Sequence, residues 1–156
     1  MKTRTTRIQR KATGYCLLIL AAVFAVISLD SVPPRTELMT LEGLLDEVIP
    51  ATPGNAGLPT RFRITGDGRL LQYHSKAGDM GLVEQALVRS AQQPVRVLVD
   101  SADEFSTVYE LAIDGHTIRS YDEVTAAWQS NNMFSRWIAW VSALTSVVVL
   151  FRAYWK

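Results

Sequence analysis

ATGYCLLILAAVFAVISL, residues 12–29, contains no charged side chain and is broken only by short polar or part-polar groups at Thr13, Tyr15, Cys16 and Ser28. A helix crossing a hydrocarbon core of about 30 Å needs about 20 largely apolar residues, a length this stretch reaches once its flanks are counted. WIAWVSALTSVVVLF, residues 137–151, is its counterpart near the other end. The region 133–154 around it, at about 1.5 Å per residue, spans roughly 33 Å. Two such segments decide the architecture. The expected protein is a membrane protein with transmembrane helices at 12–33 and 133–154 flanking one small extracytoplasmic domain at 36–130, close to the usual size of a single core.

Charge sets the orientation. The first eleven residues hold Lys2, Arg4, Arg7, Arg10 and Lys11 and no acid, and Arg152 and Lys156 follow the second apolar run. All 15 acidic residues fall between Asp30 and Asn132 against 8 basic ones, a net −7 for that region. Basic residues near a span stay cytoplasmic, whereas long translocated loops escape the rule. Residues 1–11 and 155–156 are therefore expected in the cytoplasm and the domain on the far side. Twelve arginines against four lysines suit a GC-rich bacterial genome, so the expected site is the bacterial inner (plasma) membrane, with the domain periplasmic in a Gram-negative host or otherwise extracellular. An acidic domain also disfavours nucleic acid as a partner, because phosphate binding needs clustered Lys and Arg.

The first span reads as an uncleaved signal anchor. The alternative is a signal peptide cleaved after the small-residue site Val23-Phe24-Ala25, but the apolar run continues past it to Leu29. Cys16, the one cysteine, lies too early for a lipoprotein signal and cannot staple the domain, so an ordinary core must hold it. In the second span Trp137 and Trp140 mark one interface and Tyr154 and Trp155 the other, the belt positions of large amphipathic rings, while Arg136 can lift its guanidinium to the headgroups. Small residues recur every four positions: Ala21 with Ala25, Ala139 with Ala143, and Ser142 with Ser146. Such spacing lets helix backbones approach closely. The expected use is packing the two spans together, with self-association into a homo-oligomer as the alternative.

The domain alternates strand and turn signals. Residues 36–49 read as one strand bent at Gly43, or two short ones, and residues 50–59 as a Pro/Gly loop. Arg61 to Thr65 alternates polar and apolar, Gly66-Asp67-Gly68 turns, and Arg69 to Tyr73 returns. Asp79 is placed to cap a helix from Met80 to about Gln92 whose apolar face is Leu82, Val83, Ala86 and Leu87. Val95 to Val99 is the clearest strand. Asp114-Gly115 joins two more as a hairpin, and Ser120 with Glu123 forms a capping box opening a helix that runs toward the second span with a kink at Asn131-Asn132. Strands, one helix, then strands make an α+β, mainly β domain. A small, partly open barrel of the oligonucleotide/oligosaccharide-binding type has this order, and an α+β sandwich suits it as well.

No catalytic, cofactor or metal signature stands out. His74, Ser75 and His116 with scattered Asp supply the residue types of a hydrolase, but surface histidines account for them, and no nucleophile elbow or zinc spacing is present. The acids among Asp100, Asp103 and Glu104 lack the glycine and terminal glutamate of a calcium loop, and Gly66-Asp67-Gly68 lacks the lysine of a phosphate loop. Tyr109, Tyr121 and Trp128 are candidates for an aromatic groove, or for core. The expected function is a non-enzymatic protein-interaction module held in lipid by two anchors, an envelope accessory, exclusion or immunity-type factor. A membrane-anchored small-ligand sensor is the alternative, and a periplasmic hydrolase using His74 or His116 the weaker one.

Overall fold

The computed structural model describes residues 2–50, 58–100 and 106–155. Most of the expected 50–59 loop, the acidic run after Asp100 and Lys156 lie outside the described residues. The elements in chain order are α1 (Lys2–Ile27), a 3-10 turn (Arg35–Glu37), β1 (Met39–Ile49), β2 (Thr60–Ile64), β3 (Leu71–Tyr73), a second 3-10 turn (Ser75–Ala77), α2 (Met80–Arg89), β4 (Pro94–Val99), β5 (Ser106–Ile113), β6 (His116–Arg119) and α3 (Tyr121–Tyr154). The chain forms two compact units, one of residues 32–128 and one of residues 1–31 with 129–156.

In the first unit the strands close on themselves. β1 pairs antiparallel with β4 through its first half and with β2 through its second. β2 pairs with β3, and β3 lies parallel to β5 through Leu71↔Ser106 and Gln72↔Thr107. β5 returns to β4, completing a five-stranded barrel. The expected barrel is present, and it is closed rather than partly open because of this two-pair parallel seam.

β1 serves both halves by turning a corner. Gly43 is where it bends: a Cβ there would lie 2.4 Å from the carbonyl oxygen of Thr65. Around it the Leu44 N–H donates to Thr65 Oγ1 at 2.9 Å, and the Thr65 N–H donates to the Leu44 carbonyl at 2.8 Å. A bulge between Leu45 and Glu47 adds twist just beyond. One bent strand therefore replaces the two short ones that were the other reading.

The barrel is filled by alternate residues of each strand. On β2, Thr60, Phe62 and Ile64 point in while Arg61 and Arg63 face out, as a period of two requires. Phe62, Leu71, Tyr73, Val97, Val99 and Leu111 are among the fully enclosed side chains, with Val83 and Leu87 of α2 and Val124 and Trp128 of α3 packed on them.

Three local expectations for α2 need correction. Asp79 is left-handed (φ 45°, ψ 39°) and its side chain makes no capping bond; the carboxylate is drawn instead to the Arg119 guanidinium, a stronger, charge-assisted partner. The helix stops at Arg89, with Ser90 as its C-cap and Gln92 at φ 64°. Its buried stripe is Met80, Val83 and Leu87, so Leu82, one residue and 100° away, is 53% exposed. The Asp114-Gly115 hairpin is as expected, with both φ values positive (49° and 76°), the pattern of a type I′ turn.

The capping box at the start of α3 is formed. The Ser120 N–H donates to Glu123 Oε2 at 2.9 Å, and the Glu123 N–H donates to Ser120 Oγ at 3.3 Å. The bond from the Ser120 N–H holds the Glu123 carboxyl below its ordinary 4.5. A group depressed in the folded state adds stability above its unfolded value and loses it as pH falls through the folded one. The acid limb of unfolding should therefore be less steep in Glu123→Gln than in the parent, a difference read from melting temperature against pH. Ser120→Ala should cost about 1 kcal/mol. α3 continues as one helix through Asn131 and Asn132.

In the second unit α1 packs antiparallel on residues 129–154 of α3. Among the described residues two helices are long and apolar enough to cross a membrane, α1 over Ile8–Ile27 and α3. α1 ends at Ile27, short of the expected Pro33, and Ser28 closes it by donating from Oγ to the Ala25 carbonyl at 2.7 Å.

Candidate functional site

The two units offer different surfaces. In the helix pair the seam is built from small and polar residues seven apart: Gly14 and Ala21 on α1 with Ser28 just past its end, and Asn132, Ala139, Ser146 and Ala153, with Ser135 and Ser142, on α3. Seven-residue spacing is the signature of left-handed helix pairing, and small residues there permit close contact. Gly14 makes the closest approach, since a Cβ there would meet the Leu150 side chain at 2.6 Å. Its carbonyl accepts a 2.6 Å bond from Ser146 Oγ. Of the residues expected in helix packing, Ala21, Ser142 and Ser146 are buried, Ala139 and Ala143 half-buried, and Ala25 exposed. Ala25 instead lines, with Ala21, Ala139, Ala143, Trp140 and Arg136, an open apolar groove of about 480 Å³. Trp137, Trp140 and Trp155 are 65%, 68% and 78% exposed, and Arg136 and Tyr154 are exposed beside them.

In the barrel unit the candidate catalytic residues do not converge. His116 is exposed at the hairpin. His74 sets its ring edge-on to Trp128, centroids 6.3 Å apart. Among the described residues no group of three His, Cys, Asp or Glu is placed to hold a metal ion. Gly66 to Arg69 is a closed turn: Asp67 accepts from the Arg69 backbone N–H at 3.0 Å and from its guanidinium at 2.6–3.1 Å. These bonds hold the Asp67 carboxyl below its usual value, leaving no anion cradle. The candidate aromatic groove resolves into packing. Tyr109 and Trp128 are buried with centroids 5.8 Å apart, and Tyr121 donates to the Pro33 carbonyl at 2.8 Å.

What the barrel does display, among the described residues, is a sheet edge with no further strand on it. β6 pairs with β5 on one side and ends the strand order on the other. Beside it lies a groove of about 730 Å³ between Thr117 and Ile118 of β6 and Gly81, Leu82, Gln85, Ala86 and Arg89 of α2. The two walls are tied by Arg119, whose guanidinium pairs with Asp79 and donates to the Ala77 carbonyl at 3.1 Å. Tyr73 secures the same segment, its hydroxyl within hydrogen-bonding reach of the Ala77 and Gly78 carbonyls at 3.1 and 2.8 Å, and burial pushes its phenol pKa up. Gly78 (φ 78°) and Asp79 give the left-handed turn that brings α2 alongside. Arg119 and this edge escaped the sequence reading, because nothing local marks an arginine at a strand end as a clamp on a helix 40 residues earlier.

No protein-family model, no curated protein and no solved structure matches this chain.

Proposed function

We propose that this is a two-span membrane protein with both ends in the cytoplasm, whose barrel works on the far side of the membrane as a non-enzymatic protein-interaction module. The observation that carries the binding role is the unpaired edge of β6 beside the α2 groove. An extended segment of a partner protein adds a strand to such an edge, its main chain giving affinity and side-chain pockets giving selectivity. Leu82, the exposed apolar residue of the groove wall, is the anchor point for such a strand.

The spans are supported by a helix pair that leaves most of its large apolar side chains uncovered, an area far beyond what a soluble surface carries. The charge asymmetry supports the orientation. The five-stranded connectivity, with a helix between β3 and β4, fits the oligonucleotide/oligosaccharide-binding type. Its β2 face, however, presents Arg61 and Arg63 and no aromatic ring. Single-stranded nucleic acid is held by stacking rings over a basic groove, so the likeness here is one of scaffold.

A photo-crosslinking amino acid placed at Gln85, in the full chain in intact membranes, should capture one protein species that the same probe at Arg63 does not. Leu82→Glu should cut that capture about tenfold or more, as loss of an interface anchor does, while leaving the barrel's stability within about 0.5 kcal/mol of the parent. Recovery of only lipid and abundant bystanders from both positions would sink the binding role. Reporter fusions finding either end outside the cell, or intact protein in a carbonate wash, would overturn the membrane placement.

A further inference from the structure

We propose that the end of the helix pair carrying Arg10, Lys11 and Arg152 binds the headgroup of an anionic phospholipid; this rests on the membrane-spanning reading above. The helix-pair unit contains a single acidic residue, Asp30. It sits at the opposite end, where its carbonyl accepts from the Asn132 side chain. Two basic clusters stand far apart in sequence, Lys2 to Lys11 and Arg152 with Lys156.

Tertiary structure brings the described members together. Tyr15 and Tyr154 share a hydroxyl–hydroxyl hydrogen bond of 3.0 Å across the pair. The Lys11 ammonium sits 3.9 Å from the Tyr154 ring centroid. These contacts place the last turn of α3, with exposed Arg152, beside the turn of α1 that holds exposed Arg10 and half-buried Lys11. Among the described residues neither arginine has a carboxylate partner.

The kind of anion follows from what adjoins the charge. Immediately along the helices come exposed Leu18, Ile19, Val147 and Val148. A phosphate with hydrocarbon beneath it meets both features, and guanidinium groups are suited to hold phosphate oxygens in pairs. The two tyrosines stand at the boundary between them, where amphipathic rings settle in a bilayer.

The test uses the full chain and vesicles of phosphatidylcholine alone or phosphatidylcholine doped with phosphatidylglycerol. Flotation checks insertion, and native mass spectrometry of protein extracted in a neutral detergent counts retained lipid. The parent should float with both vesicles and retain phosphatidylglycerol in preference to phosphatidylcholine. Arg10→Gln with Arg152→Gln should reduce that preference about fivefold for each charge removed. Arg136→Gln, at the far end, should leave it unchanged. Insertion with no lipid preference, or a double variant equal to the parent, overturns the headgroup site alone. Failure to float with either vesicle overturns it together with the membrane reading.

Discussion

Gly43→Ala is expected to destabilise the barrel by about 2–3 kcal/mol, although alanine is ordinarily the better residue in regular structure. The added Cβ would stand 2.4 Å from the Thr65 carbonyl oxygen, a backbone atom that cannot swing aside. Relief requires opening the corner where β1 passes from β4 to β2, and the bonds between Leu44 and Thr65 open with it. In a unit of about a hundred residues each kcal/mol moves the melting temperature by about 4–8 °C, so a fall of at least about 8 °C should be seen by near-UV circular dichroism. Gly81→Ala is the matched comparison. Its Cβ would meet nothing within 4 Å in α2, so it should stabilise by about 0.5–1 kcal/mol. If the two substitutions shift melting in the same direction, the close crossing at Gly43 is wrong.

The second large effect is expected at Phe62. Its side chain is wholly enclosed in the barrel between neighbours on β1 and β3, paired in register with Val48 and Leu71. Phe62→Ala removes the ring and leaves a cavity that a closed barrel cannot collapse, at a cost of about 3–5 kcal/mol. That is a large part of the 5–15 kcal/mol that holds a typical domain. Arg63→Ala, the next residue, points outward to a 3.6 Å pair with Glu47 on the surface and should stay within about 1 kcal/mol of the parent. Thermal melts of the two variants in detergent test the alternation directly. Equal losses would mean that β2 is out of register. Because the apolar helices belong to the other unit, both variants should still fractionate with membranes, which separates a barrel defect from an insertion defect.

Much of the fold was legible because its signals are local. The capping box at Ser120 and Glu123, the Asp114-Gly115 turn and the alternation of Arg61 to Ile64 each involve residues within a few positions of one another. Asp79 is not legible for the complementary reason: the residues after it point to a capping role, while its carboxylate is claimed by Arg119, 40 positions on. Helical spacing groups Leu82 with Ala86 on one apolar face, yet Leu82 is exposed. Which face α2 buries depends on where the barrel lies, and that is not written in α2.

The candidate surfaces were less legible still. Alanines and serines at four-residue spacing occur throughout both apolar segments, and only the actual pairing selects Gly14, Ala21 and Ser28 from among them. β6 reads as an ordinary hairpin strand. Its free edge exists because β3 takes the first part of β5 and leaves β6 the last.

By itself the sequence determined the two long apolar helices, the charge asymmetry between the terminal and central regions, and the strand and turn order of the domain. These follow from composition, periodicity and short-range hydrogen bonding, which act along the chain. Tertiary structure alone decided the closure of the barrel through β3 and β5, the corner at Gly43, the Arg119 clamp beside the open edge, and the meeting of Arg10 and Lys11 with Arg152 at one end of the helix pair. Each of these joins residues distant in sequence, and steric fit and charge partnership between such residues arise only once the chain has packed.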